Sequence, residues 1–161
     1  MEATHTLRRV LVGTAMAVVI CGGLWATTSS GTSSTLVGPS ATYEGFKVKR
    51  EAVDWAVKIE AKDGLSVSTQ TITFQPGGQS GWHSHPGPVF ISIKEGTMTF
   101  YDLDCHATVL TAGQGFLDAG SDPHLARNES GSPATNVVTY FAPPHTTVFR
   151  INEAQPPNCF L

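Results

Sequence analysis

Two histidines separated by one residue are the strongest chemical signal in the sequence. His83 and His85 lie in the stretch GWHSHP. Residues two apart in a β-strand project from the same face, so both imidazoles should point the same way while Trp82 and Ser84 face away. Neutral imidazole is a common ligand for first-row transition metals. The spacing therefore predicts half of a mononuclear metal site.

A second segment carries a third histidine, and the two segments together resemble the cupin superfamily. The first cupin pattern is G-x5-H-x-H-x3,4-E-x6-G, and the second ends in G-x2-H-x3-N. The positions that match are Gly77, His83, His85, Gly96, His124 and Asn128. The resemblance covers residues 70–142 and implies an all-β jelly-roll barrel. It also implies one metal ion in the barrel mouth, held by His83, His85 and His124.

The sequence departs from the cupin pattern at two places. The glutamate of the first pattern should fall at position 89, where this chain has Val89. In the second pattern Asp118 replaces a proline, and one extra residue separates Gly120 from His124. Continuing the strand parity places Val89 on the inward face, so we expect a neutral three-histidine centre with open coordination positions.

Three further residues are expected to line or support the site. Gln79 lies in the glycine-rich approach to the histidines, and Val89 occupies the missing ligand position. Asn128 begins an Asn–Glu–Ser glycosylation sequon, but its match to the cupin pattern favours a structural role with hydrogen bonds near the site.

A three-histidine centre leaves several functions open. Within the resembled superfamily, such centres occur in iron dioxygenases, where an open, positive ion suits an anionic bidentate substrate and O₂. We therefore expect a dioxygenase-like oxidoreductase acting on a small organic molecule, with iron slightly preferred over zinc, manganese or nickel. The alternatives are a non-catalytic cupin that binds a metal or small ligand and, third, a metal-assisted isomerase or hydratase.

The elements that must position these residues are strands. Branched and aromatic residues alternate in short runs between Gly, Pro, Asp and Ser, and no segment predicts a convincing helix. Val53–Ala61 is ambiguous between a strand and a helical turn. The other predicted strands are Leu65–Gln75, ended by Pro76–Gly77–Gly78, and then Val89–Lys94, Thr97–Tyr101, Ala107–Leu110, Gly115–Leu117, His124–Asn128, Asn136–Phe141 and Thr146–Ile151.

The first part of the chain predicts export. Arg8 and Arg9 precede an uncharged apolar run and then small residues, so residues 1–31 are interpreted as a signal peptide or, if uncleaved, a membrane anchor. Residues 32–42 are rich in Ser, Thr and Gly and are predicted to be a flexible linker. Residues 43–161 are then the barrel domain, in a secreted, periplasmic or cell-envelope protein.

Cysteines and charge bound the remaining possibilities. In an exported domain, Cys105 and Cys159 are expected to form a disulfide. The formal net charge of −3 and the absence of a Lys/Arg cluster argue against nucleic-acid binding. The expected partner is a small-molecule ligand or substrate. Trp82 is expected to pack outside the barrel, where it could contact a second copy in a homodimer.

Overall fold

The structure, a computed structural model, describes residues 26–161, which form strands and loops and contain no helix. The strands are β1 (Ser30–Leu36), β2 (Ala41–Tyr43), β3 (Phe46–Ala52), β4 (Trp55–Ala61), β5 (Leu65–Gln79), β6 (His83–Ser84), β7 (Val89–Glu95), β8 (Thr97–Tyr101), β9 (Ala107–Thr111), β10 (Gly115–Asp118), β11 (Leu125–Arg127), β12 (Ala134–Ala142) and β13 (Ile151–Asn152). Among these described residues, no helix is long and apolar enough to cross a membrane.

A nine-stranded antiparallel sheet curls into a nearly closed jelly-roll barrel. Its strands run in the order β10-β7-β12-β5-β11-β8-β9, and β1 and β2 add to β5. Two small sheets, β13-β6 and β3-β4, complete the fold. The all-β jelly-roll prediction is therefore confirmed, and the non-consecutive strand order brings segments distant in sequence to one end of the barrel.

The barrel interior is filled by alternate residues of its strands. On β7, Val89, Ile91 and Ile93 are buried while Phe90 between them is half exposed. The same period-2 alternation runs through all nine residues of β12. Phe74, Met98, Phe100, Val138 and others complete this main core. The inward face of β7 predicted from the histidine parity is therefore the face that the structure buries.

The segment predicted as a flexible linker, residues 32–42, is instead mostly strand. β1 pairs with β5 from Ser30 opposite Gln79 to Leu36 opposite Gln70, and β2 pairs with the beginning of β5. Six of the seven β1 side chains are exposed. The strand therefore forms through backbone hydrogen bonds to the free edge of β5, and its Ser- and Thr-rich composition carries no hydrophobic pattern to reveal it.

The predicted signal segment 1–31 falls mostly outside the described residues, which begin at Ala26. Its final residues belong to the fold: Ala26 bridges to Ala154, and Thr27 hydrogen-bonds the backbone of both Trp82 and Glu153. The described fold therefore includes residues well before 43, where the barrel domain was predicted to begin.

Two strand predictions near the site need correction. β5 does not end at Pro76 but continues to Gln79, because β1 covers its edge with a register shift between Ser30 and Thr32. A Cβ on Gly78 would lie 2.5 Å from the carbonyl oxygen of Gly31, so this close backbone approach requires glycine. The predicted strand Thr146–Ile151 is instead an irregular connecting segment, residues 143–150, followed by β13.

Of the two structures predicted for Val53–Ala61, the strand is the one observed, since β4 pairs with β3 along their whole lengths. This hairpin stands apart from the main sheet and leaves Val48, Trp55 and Ile59 largely exposed. The helical-turn alternative for this segment is wrong.

A disulfide attaches the segment after β13 to the barrel. Cys105 and Cys159 are bonded, with their Cα atoms 5.4 Å apart, as the sequence predicted. Cys159 packs with Trp82 and Leu125 in a second apolar cluster separate from the main core. Trp82 does lie outside the main core, but it is only 1% exposed. The predicted contact of Trp82 with a second copy is therefore wrong, because this cluster buries it within its own chain.

Candidate metal centre

Backbone pairing brings the three histidines together. His83 and His124 face each other in an antiparallel bridge, with N–H donations of 3.0 and 2.9 Å to each other's carbonyl oxygens. The His85 N–H donates to the Gly120 carbonyl at 2.7 Å, which holds His85 against the turn that precedes His124. The imidazole centroids lie 4.3–5.2 Å apart. Backbone pairing therefore brings His83 and His124, which are about forty residues apart in sequence, into direct contact.

The three imidazoles form a compact donor set. One ring nitrogen from each of His83, His85 and His124 lies within 4.8 Å of the others, and each residue is about 6% exposed. Three imidazoles at this separation suit a single first-row divalent ion, for which imidazole nitrogen is a preferred ligand. The residues predicted from sequence therefore converge, and their chemistry fits the implied metal.

Backbone carbonyls select which nitrogen of each ring is free. The Nδ1 atoms of His83 and His85 lie 2.9 and 2.6 Å from the carbonyl oxygens of Gly81 and Phe149. His124 Nδ1 makes a longer contact of 3.4 Å with the Asp122 carbonyl. A carbonyl can only accept, so Nδ1 must carry the proton in each ring. Nε2 then keeps its lone pair, which is the arrangement that metal-binding histidines use.

The site holds all three imidazoles neutral at physiological pH. Burial, together with the neighbouring charges of His124, Arg150 and His85, lowers the pKa of His83 to about 2. Burial also lowers the pKa of His85 and of His124, although the carboxylate of Asp118 opposes this effect at both rings. Neutral rings offer lone pairs without first losing a proton, so metal binding does not compete with protonation.

A buried carboxylate lies beside the histidines. Asp118, at the end of β10, is 7% exposed, and its Oδ1 accepts the Gly120 N–H at 3.0 Å. Its Oδ2 is 3.9 Å from His85 Nε2 and 3.7 Å from His124 Nδ1, and has no hydrogen-bond partner among the described residues. In the sequence, the signal for Asp118 was its departure from the cupin pattern.

The histidines open onto a cavity of about 400 Å³ inside the barrel. Apolar side chains such as Ile72, Ile91 and Val138 line much of it. Polar atoms occur at a few points: the Asn136 side chain is 2% exposed with an unpaired Oδ1, and Tyr140 accepts a hydrogen bond from Gln70 at 2.5 Å. A mostly apolar cavity with few polar groups is typical of a small-molecule site.

Arg150 brings a positive charge to the same cavity. Its Nη2 donates to the Ser80 carbonyl at 2.6 Å and its Nε donates to Asn152 Oδ1 at 2.8 Å. No carboxylate among residues 26–161 forms an ion pair with it. Its charge lowers the pKa of each of the three histidines after the larger effect of burial. Sequence reasoning missed Arg150, because it belongs to no motif and the segment before it was taken as an ordinary strand.

The three residues expected to line or support the site have different positions. Gln79 pairs with Ser30 and with Arg127 at the end of β5 and does not border the cavity. Val89 is fully buried in the main core, directly across from Asp118 on β10, and does not border the cavity either.

Asn128 has the structural role expected for it, but away from the cavity. It is fully buried, its Nδ2 donates to the carbonyls of Phe74 and Ser132, and its Oδ1 accepts from the N–H and hydroxyl of Ser130. These contacts close the loop between β11 and β12. An amide buried in this way is not accessible for glycosylation, so the sequon has no acceptor in the folded chain.

Two solved structures are similar to this chain over most of its length. The chain is similar to the Cupin_2 domain of an XRE family transcriptional regulator from Enterobacter cloacae, at 18% identity and a TM-score of 0.48, covering 72% of this chain and 100% of that one. It is also similar to the polyketide cyclase RemF from Streptomyces resistomycificus, at 13% identity and a TM-score of 0.53, covering 95% and 91%. Identities this low carry information about fold and none about the reaction.

No curated protein matches the sequence. The sequence model of the family described as "Cupin domain", Cupin_2, matches residues 70–140, which span β5 to β12 and include all three histidines. The matched range agrees closely with the range of the resemblance in the sequence. The resemblance to the cupin superfamily that the sequence predicted is therefore confirmed over residues 70–140.

Proposed function

We propose that this chain is a metal-dependent oxidoreductase of the dioxygenase type, acting on a small anionic organic molecule. His83, His85 and His124 would hold one divalent first-row ion, with iron preferred. The observation that carries the proposal is the set of Nδ1 contacts to backbone carbonyls, because they leave the Nε2 lone pair of each ring free in a cluster whose ring nitrogens lie within 4.8 Å of one another.

The anionic character of the substrate is supported by the charges around the cavity. Three neutral imidazoles do not reduce the charge of a divalent ion, and Arg150 adds a further positive charge. Burial lowers the pKa of Arg150, which marks the cost of holding its charge there. An anionic ligand between the ion and the guanidinium would offset both charges, and guanidinium binds carboxylates through a paired set of N–H donors.

The chain's own residues would position such a substrate. Arg150 would bind its anionic group, and the apolar wall of Ile72, Ile91 and Val138 would contact its carbon skeleton and exclude water. Burial raises the pKa of Tyr140, so its phenol keeps its proton. Because Gln70 already donates to the Tyr140 oxygen, the Tyr140 hydroxyl hydrogen is free to donate into the cavity.

When bound, the ion would supply a Lewis acid that brings the substrate and O₂ together. In the overall reaction both atoms of O₂ enter the product. The substrate supplies all four electrons that reduce O₂, so no further reductant is needed.

Two measurements on the purified full chain test the proposal. Elemental analysis should find about one first-row transition metal per chain, bound by wild type and lost in His83→Ala. Oxygen uptake by the iron-loaded protein should then appear with at least one member of a panel of thiols, diketones and phenols that includes anionic compounds.

The outcomes separate the candidate functions. Absence of stoichiometric metal after reconstitution would contradict the metal centre itself. Metal binding without oxygen uptake across the panel would instead favour a non-catalytic cupin that binds a metal or small ligand. His106→Ala is a matched control, because this histidine is exposed on the loop before β9 and should leave metal content unchanged.

We further propose that the protein works outside the cytoplasm, as a secreted, periplasmic or cell-envelope protein. The bonded Cys105 and Cys159 support this, since disulfides persist mainly in oxidising compartments. Fractionation of cells expressing the full chain should find the protein outside the cytoplasm with this disulfide formed. A cytoplasmic protein with both thiols reduced would contradict the proposal.

A further inference from the structure

The carboxylate of Asp118 has an unusual environment for a buried acid. Oδ1 is satisfied by the Gly120 N–H, whereas Oδ2 has no hydrogen-bond partner among the described residues. Buried polar atoms are nearly always paired, because an unpaired one loses its hydration without compensation. An unpaired oxygen next to a candidate metal centre therefore indicates a missing positive partner.

The position of this oxygen identifies that partner. Oδ2 lies 3.9 Å from His85 Nε2, the nitrogen that the Phe149 carbonyl leaves free to bind metal. An ion bound to that nitrogen sits about 2.1 Å from it. It would therefore lie within about 6 Å of the carboxylate, the range in which opposite charges in proteins interact strongly. Oδ2 is also 3.7 Å from His124 Nδ1, so it faces two of the three imidazoles.

The sheet register explains why an acid occurs here. Asp118 on β10 is paired directly with Val89 on β7, the position at which the cupin pattern has glutamate. The two departures from the pattern, a lost acid at position 89 and a gained acid at position 118, are therefore neighbours across one strand pair. Cross-strand partners have side chains about 5 Å apart, so the negative charge has moved by the width of one strand.

We propose that Asp118 is the anionic partner of this metal centre, supplying from β10 the negative charge that stabilises a divalent ion held by His85 and His124. This inference rests on the proposed metal centre and extends it to a fourth residue. The centre is then less positive than three imidazoles alone would make it.

Metal affinity, measured without any assay of activity, tests the inference. The full chain is stripped with a chelator, and its dissociation constants for Co²⁺ and Zn²⁺ are measured by competition with a chromophoric chelator. Asp118→Asn keeps the oxygen that accepts the Gly120 N–H and removes the charge at Oδ2. Because partners of metal ligands usually contribute 10–100-fold to affinity, we expect both ions to bind about 10–100-fold more weakly.

Asp122→Asn is the matched control. It removes the same charge two residues before His124, but from an exposed side chain, so affinity should change by no more than about threefold. Asp118→Glu keeps the charge and should retain affinity within about tenfold of wild type. If Asp118→Asn fails to fold, Asp118→Glu provides the test. A loss of metal affinity in Asp118→Glu as large as the loss in His124→Ala would then overturn the inference.

The outcomes distinguish this inference from the function on which it rests. Wild-type affinity in a folded Asp118→Asn protein would overturn the role of Asp118 and leave the three-histidine centre intact. An equal loss in Asp118→Asn and Asp122→Asn would also overturn it, because the effect would then be one of general surface charge. Failure of the wild-type chain to bind either ion would contradict the metal centre itself.

Discussion

Two groups of buried polar side chains, one around Asn128 and one around the histidines, differ in how completely their hydrogen-bonding atoms are paired. At Asn128, both amide hydrogens and both lone pairs of the oxygen have partners within the chain. At the histidine cluster, each ring uses one nitrogen and leaves the other free, and Asp118 leaves one oxygen unpaired.

The difference separates a structural role from a binding role more clearly than burial does. All of these residues are at least nine-tenths buried, and His124 and Asn128 lie only four positions apart. A satisfied polar group stabilises the fold without help, whereas a half-satisfied one costs free energy until a ligand completes it. We therefore expect substitutions at Asn128 to change stability alone, and substitutions at the histidines to change the response to metal.

The largest expected effect is at His83. Metal present at about 1,000 times its dissociation constant should stabilise wild type by about 4 kcal/mol, and His83→Ala should lose nearly all of that gain. Denaturant unfolding of both proteins with and without Zn²⁺ measures it. The comparison fails if the variant gains as much stability from the ion as wild type does.

Asn128→Ala should have the next largest effect, with the opposite pattern. It removes four hydrogen bonds and leaves the carbonyl of Phe74 without this donor in a buried position, so unfolding free energy should fall by about 3 kcal/mol. The stabilisation by Zn²⁺ should be unchanged. An altered metal response in this variant would show that the two groups are coupled and would remove the distinction between them.

Arg150→Met tests whether the binding role of the histidine cluster also includes Arg150, which lines the cavity. With Co²⁺ bound, malonate should perturb the visible spectrum of wild type, and the variant should bind it about tenfold more weakly, a difference of about 1.4 kcal/mol. Glycerol, which has no charge, serves as the control ligand and should not distinguish the proteins. Equal malonate affinities would exclude Arg150 as the anion-binding residue.

The smallest expected effect is at Gln79, which precedes His83 by four residues and pairs with Arg127 beside Asn128, but belongs to neither group. Gln79→Ala should change unfolding free energy by less than about 0.5 kcal/mol and leave Zn²⁺ affinity unchanged. Titration of the variant beside wild type checks this. A clear loss of metal affinity would restore Gln79 to the site from which the structure separates it.

Much of the site was predictable because its residues follow local rules. The spacing of His83 and His85 on one strand face and the pattern around His124 are sequence-level signals, and the structure brings the three side chains together. Thr97–Tyr101 was also predicted with its observed bounds, since the Glu95–Gly96 turn precedes it.

The rest depended on register and on backbone pairing, which leave little trace in composition. The role inferred for Asp118 depends on its pairing with Val89 on the neighbouring strand, which the sequence alone does not reveal. Arg150 reaches the cavity from an irregular segment that no periodicity describes. β1 was taken for a linker because its exposed Ser and Thr residues need no hydrophobic pattern when the edge of β5 supplies the hydrogen bonds.

The connecting segment 143–150 also has a consequence for the kinetics of exchange. Thr147, Val148, Phe149 and Arg150 form one side of the cavity without belonging to a strand, whereas most of the other lining residues lie in paired strands. Opening a sheet wall breaks a ladder of backbone bonds, but displacing this segment breaks few, among them the contact of His85 with the Phe149 carbonyl. A ligand that entered by displacing this segment would therefore loosen His85 as well, and in that case ligand entry and metal release should share a common slow step.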